Sequence, residues 1–74
     1  MSTRPVKHSL TLRGHRTSVS LEDIFWREFC RIAQAREQPL NQLAAEIDAA
    51  RGDTGLATAI RVFVLQDALA RRGT

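Results

Sequence analysis

The 74-residue sequence lacks the features on which most small enzymes and metal proteins depend. It holds a single cysteine, Cys30, so no intramolecular disulfide can form. It has no CxxC pair and no cysteine–histidine cluster with zinc spacing, which argues against a structural metal site. The two histidines, His8 and His15, have no evident carboxylate partner, and no glycine-rich phosphate loop is present. We therefore expect no catalytic residues, no metal and no cofactor.

Long apolar runs are also missing. No stretch approaches the ~20 apolar residues that a membrane-spanning helix needs. The N-terminal residues lack the apolar core of a signal peptide. Together with the free cysteine, these absences predict a cytoplasmic protein without a membrane partner.

The chain is too short to bury a large core by itself. A single domain of this length buries only roughly 60% of the surface that its unfolded chain exposes. Because neither a disulfide nor a metal is indicated, association of subunits is the remaining way to stabilise it. Hydrophobic residues make up 43% of the sequence, which is enough for folding. We expect a homodimer, or a higher oligomer built from it.

Acidic residues are absent from the first 21 positions, and all eight occur later in the chain. That N-terminal segment instead holds four cations: Arg4, Lys7, Arg13 and Arg16. The net charge of the whole chain is +3. A basic segment of this kind favours an anionic partner such as nucleic acid.

The segment HRTSVSL, residues 15–21, alternates polar and apolar side chains with the period of a β-strand. One face would carry Arg16, Ser18 and Ser20. The preceding stretch KHSLTLR, residues 7–13, alternates in the same way. Gly14 is either a turn between two strands or a bulge in one strand. The polar face is either a solvated surface or a ribbon that enters the DNA major groove.

Three helices are predicted after this strand region, which spans 7–20. The first covers 21–36, and the pattern Ser20-Leu-Glu-Asp23 predicts that the Ser20 hydroxyl caps it. The second covers 39–51, with Pro39 in the first turn. The third covers 55–71 and is apolar over most of its circumference, so we expect it to meet another subunit. These elements form one domain over 7–70, preceded by a flexible basic arm over 1–6.

The order of these elements resembles the ribbon-helix-helix family of bacterial DNA-binding proteins, which includes the Arc and methionine repressors. The stretches RGHRTSVSLEDIFW, PLNQLAAEID and AIRVFVL look like those of a group of short bacterial proteins with this domain. The resemblance covers about Lys7 to Leu69. It implies a mainly α fold with a short N-terminal β-ribbon in an intertwined homodimer, and the third predicted helix of this chain is an additional C-terminal helix beyond the family's usual two.

In that family, one strand from each of two chains pairs antiparallel, and the outward side chains contact bases in the major groove. Carried over to this chain, the resemblance implies base contacts by Arg16, Ser18 and Ser20. The other face of the strand would lie in the dimer core, with Thr17, Val19 and Leu21.

The resemblance also implies a phosphate bound at the start of the second helix, where backbone N–H groups are free. The matching donors are Leu40 and Asn41, because Pro39 has no N–H. Further phosphate attraction is expected from Arg4, Lys7 and Arg13. The stretch from Leu56 also resembles the family's second helix, and this alternative would place Thr54 and Gly55 at the phosphate.

These expectations describe a sequence-specific double-stranded DNA-binding protein, active in transcription regulation. The alternative is a protein-interaction module, such as an antitoxin, whose third helix binds a protein partner. A third possibility is a dimer that has kept the fold and lost DNA binding.

Overall fold

Two strands and three helices make up the part of the chain that the structure describes. The computed structural model describes residues 3–72. The elements are β1 (Val6–Leu12), β2 (His15–Leu21), α1 (Asp23–Ala35), α2 (Leu40–Ala50) and α3 (Leu56–Arg72). The expected fold class, mainly α with a short N-terminal β-ribbon and a third helix, is confirmed. Residues 1 and 2 of the predicted arm lie outside the described residues, and Val6 at its end already belongs to β1.

Strands β1 and β2 form one antiparallel hairpin, so Gly14 lies in a turn and not in a bulge. Leu12 is paired with His15, which leaves Arg13 and Gly14 as the two turn residues. Both have positive φ angles, 53° and 84°. Two-residue turns with positive φ match the right-handed twist of paired strands. The hairpin therefore joins the two alternating stretches within one protomer.

The inner face of the hairpin contributes to the hydrophobic core. Val19 is 4% exposed and Leu21 is fully buried. The resemblance places both in the dimer core together with Thr17. Within the protomer Thr17 is exposed, while Val19 and Leu21 already pack inside a single protomer, and the placement of these side chains in a dimer core stays a prediction. Of the three helices, α2 lies against β1 and α3 against β2.

Helix α1 begins later than predicted, and Ser20 does not cap it. β2 continues to Leu21, which is paired with Val6, so Ser20 is part of the strand. The N-cap position belongs to Glu22, and no side chain caps the helix. The Glu22 carbonyl instead accepts hydrogen bonds from the backbone N–H groups of Phe25 and Trp26, both at 3.0 Å. Burial of Leu21 outweighs the capping preference, and the Ser20 hydroxyl stays on the polar face of the hairpin.

Helix α3 is buried along one side and exposed along the other. Ile60 and Val64 are in the core. Val62, Leu65 and Leu69 follow at spacings of three and four residues, and they are 48%, 56% and 53% exposed. These three side chains form the α3 stripe. Among the described residues no helix has the length and hydropathy to cross a membrane.

Candidate nucleic-acid interface

The outer face of the hairpin is a polar surface built from both strands. Antiparallel neighbours lie on the same face, and the pairing brings three such pairs together. All six side chains are exposed. The pairs are Lys7 with Ser20, Ser9 with Ser18, and Thr11 with Arg16. The structure thus places Arg16, Ser18 and Ser20 side by side, with a second polar row from β1 next to them. We call these six residues the hairpin face.

Cations on and beside the hairpin face differ in their surroundings from those on the helices. Within the part of the chain that the structure describes, Lys7, Arg13 and Arg16 form no ion pair. Five helix-region arginines do pair with carboxylates: Arg27, Arg31, Arg51, Arg61 and Arg71. No acidic residue precedes Glu22 in the sequence, so the hairpin carries no acidic side chain of its own. The positive potential is therefore concentrated at the hairpin end of the molecule.

The two edges of the hairpin are not equivalent. In an antiparallel pair, residues alternate between pairs that exchange hydrogen bonds and pairs whose backbone groups point outwards. With Leu12 and His15 bonded across the turn, the backbone groups of Thr11 point away from β2, and its N–H donates to Asn41 Oδ1 at 3.1 Å. The edge of β1 is thus partly covered by α2. The same alternation directs the backbone groups of Arg16 and Ser18 to the outer edge of β2, where no residue in the described range bonds to them, so this edge can pair with another strand.

The start of α2 is held beside the hairpin by the contact between Asn41 and Thr11. No side chain caps this helix, and its N-cap residue is Pro39. The backbone N–H groups of Gln42 and Leu43 donate to the Pro39 carbonyl at 3.0 and 3.1 Å. The N–H groups of Leu40 and Asn41 precede them and are the orphan donors of the first turn. They lie close to the β1 edge of the hairpin face, on the side of Thr11.

An ion pair between Glu22, which follows β2, and Arg61 of α3 connects the hairpin to this helix. Arg61 Nε and Nη2 donate to the two carboxylate oxygens of Glu22 at 2.8 and 3.0 Å. Arg61 Nη2 also approaches the Ser20 carbonyl at 3.5 Å. The hydrogen bond from Arg61 keeps the pKa of Glu22 below its ordinary value. This arrangement places one flank of α3 next to the open edge of β2.

The histidine, tryptophan and cysteine side chains outside the hairpin face are explained by their packing or their exposure. His8 stacks on Trp26, with ring centroids 3.8 Å apart and planes at 4°, so Trp26 lies against the basic strand. His15 is exposed beside the turn. Burial raises the pKa of the Cys30 thiol, which lowers its reactivity. Among residues 3–72, no three histidine, cysteine or acidic side chains are grouped as metal ligands.

Sequence reasoning did not assign a role to Ser9 or Thr11. The sequence does show that Ser9 and Thr11 alternate with Leu10 and Leu12. If Gly14 is read as a turn, this alternation places the two hydroxyl residues beside Ser18 and Arg16. The bond between Thr11 and Asn41 joins residues 30 positions apart and has no local signature.

The family model described as a ribbon-helix-helix domain matches residues 5–68 of the chain. This range includes the hairpin and most of α3. No curated protein matches the chain, and no solved structure does.

Proposed function

The chain belongs to the ribbon-helix-helix family, whose members generally bind DNA as dimers in transcription regulation, and on that premise we propose that it is a sequence-specific DNA-binding regulator. Its target is double-stranded DNA, its active form is a homodimer, and as a regulator it acts in the bacterial cytoplasm. The observation that carries the proposal is the hairpin face. It combines unpaired cations with short hydroxyl side chains on one exposed surface.

The homodimer forms through the open edge of β2. Pairing with β2 of a second protomer satisfies backbone groups that are otherwise exposed. The β2 strands of the two protomers become the centre of one antiparallel sheet, with each β1 on the outside. The intertwined ribbon implied by the family resemblance is then flanked by a further strand on either side.

Base contacts are assigned to the central strands. Arg16 is the side chain best suited to a bidentate contact with guanine in the major groove. Ser18 and Ser20 donate to or accept from neighbouring base edges, and their short side chains let the backbone approach closely. Each β2 strand supplies three base-contacting side chains, and the twofold axis of the dimer repeats them. The DNA site is therefore short and pseudo-palindromic.

Phosphate contacts are assigned to the surrounding positive groups. Arg13 in the turn and Lys7 at the opposite end of the hairpin are exposed. The backbone N–H groups of Leu40 and Asn41 suit an anion at the α2 N-terminus. Arg4 precedes β1 and adds to the positive electrostatic potential at this end of the protomer. Neutralised phosphates release counterions, so affinity must fall as salt rises.

The proposal is tested by selecting bound sequences from random duplex DNA at near-physiological salt. The wild-type protein is expected to enrich one symmetric motif. Arg16→Ala should weaken binding to that motif by about 1–3 kcal/mol and relax the preference at one base position per half-site. Lys7→Ala is the matched control, because it removes one cation from the same face and should weaken all duplexes alike. An unchanged motif and affinity with Arg16→Ala would contradict the assignment of base contacts.

A second candidate function, the antitoxin-like interaction module, is favoured by one observation. The α3 stripe is an exposed apolar row on an otherwise packed helix. Under this function the stripe binds a protein partner. Light scattering separates the two, since a partner-binding stripe predicts that substitutions within it leave the mass of the isolated protein unchanged.

A further inference from the structure

We propose that β1 is a backbone-contacting strand, in which the hydroxyls of Ser9 and Thr11 bind phosphate oxygens along both walls of the major groove. This inference rests on the proposed function and adds residues to which the family resemblance assigns no role. Both hydroxyls lie on the hairpin face next to the residues assigned to base contact. Neither side chain hydrogen-bonds to another residue in the described range 3–72.

The width of the sheet separates the roles of the two strands. Neighbouring strands are about 4.8 Å apart, so the outer strands of a four-stranded sheet are about 14 Å apart. The major groove is about 12 Å wide and admits two strands. The two β2 strands therefore occupy the groove, and each β1 lies over a groove wall, where phosphates are the nearest partners. Hydroxyl groups are common donors to phosphate oxygens.

Asn41 is a positioning residue for this strand. Its Oδ1 accepts the Thr11 N–H at 3.1 Å and fixes the edge of β1 against the first turn of α2. The hydroxyl of Thr11 takes no part in this bond, so it can be removed without disturbing the link. The bond therefore fixes the position of the Thr11 hydroxyl relative to the N-terminus of α2.

The test measures the affinity of Ser9→Ala and Thr11→Val for the selected motif and for a scrambled duplex, each at one salt concentration. Both variants are expected to weaken binding to the two duplexes by the same factor, about two- to tenfold for each half-site, because each loses one hydrogen bond per half-site. The selected motif should stay that of the wild type. Thr17→Val makes the same change at a strand position on the opposite face that is exposed in the protomer, and it is the matched control once light scattering shows that it stays dimeric; its affinity should then be unchanged. Thermal melts establish that all three variants fold.

Each outcome is decisive. Unchanged affinity in Ser9→Ala and Thr11→Val shows that β1 does not touch the DNA and overturns the inference. A changed motif shows that β1 contacts bases, as it would if one hairpin alone entered the groove, and also overturns it. Both results leave the proposed function intact, provided that the wild type still enriches a motif and Arg16→Ala still relaxes it. A wild-type protein that prefers no duplex removes the proposed function and this inference together.

Discussion

At the scale of single residues, the pair formed by Glu22 and Arg61 links the beginning of α1 to α3. Arg61 donates two hydrogen bonds to the Glu22 carboxylate at 2.8 and 3.0 Å, and this bonding holds the pKa of Glu22 below its ordinary value of 4.5. A carboxyl with a lowered pKa stabilises the folded state above its unfolded pKa, and this stabilisation disappears as the pH falls through the folded pKa. We therefore expect the free energy of unfolding to fall on acidification below about pH 4.5.

The Glu22→Gln variant isolates this contribution. It should be less stable than the wild type at neutral pH and should lose less stability on acidification, as measured by urea denaturation at a series of pH values. Asp23→Asn is the control, because it removes an exposed pair with Arg27 whose side chains are 47% and 69% accessible. Such pairs contribute little. Parallel losses in the wild type and in Glu22→Gln would show that other carboxylates dominate the acid response.

At the scale of elements, Arg13 in the hairpin turn has opposite effects on folding stability and on DNA binding. Arg13 has a φ of 53° in a turn whose conformation favours asparagine or glycine. A residue with a Cβ in this region costs roughly 1–2 kcal/mol, and asparagine tolerates it better. Arg13→Asn should therefore raise the free energy of unfolding by roughly 0.5–1 kcal/mol. It should also weaken DNA binding, because Arg13 is one of the cations that we propose to contact phosphate.

Urea denaturation and DNA titration of the same Arg13→Asn preparation check the two effects together. Lys7→Asn is the comparison, since it removes a cation from a strand position without relieving the turn. It should weaken binding without the gain in stability. A less stable Arg13→Asn protein would mean that the arginine makes contacts in the turn that outweigh its backbone strain.

The elements themselves could be predicted from the sequence because their patterns are local. The period of two marks both alternating stretches but does not decide between a turn and a bulge at Gly14, and each helix lies within one or two residues of its predicted bounds. Local sequence patterns gave wrong or no predictions where contacts between distant residues determine the structure. Ser20 has the sequence of a cap but lies in a strand because Leu21 is buried. The stacking of His8 on Trp26 and the bond from Thr11 to Asn41 depend on how the hairpin packs on the helices, which no short window encodes.

At the scale of the whole molecule, charge and apolar surface are segregated. Among residues 3–72, Lys7, Arg13 and Arg16 at the hairpin end have no ion-pair partner, whereas most helix-region arginines are paired with acids. The α3 stripe adds exposed apolar surface on a chain whose size leaves its core small. Arg61 joins these features, because it extends from α3 to the Ser20 carbonyl near the end of β2. The open strand edge and the flank of α3 therefore belong to one side of the protomer.

This continuity predicts that a second copy of the chain covers the α3 stripe. Leu65→Glu places a charge at a position that is 56% exposed in the protomer, so the fold should persist while the dimer weakens. Light scattering should show a shift towards monomer, and DNA affinity should fall with it, since one hairpin supplies only half of the contacts. Ile24→Glu is the control at an exposed apolar position on α1, 61% accessible, and should remain dimeric. A Leu65→Glu protein that stays dimeric and binds DNA normally would place the stripe outside the dimer and favour the antitoxin-like function for α3.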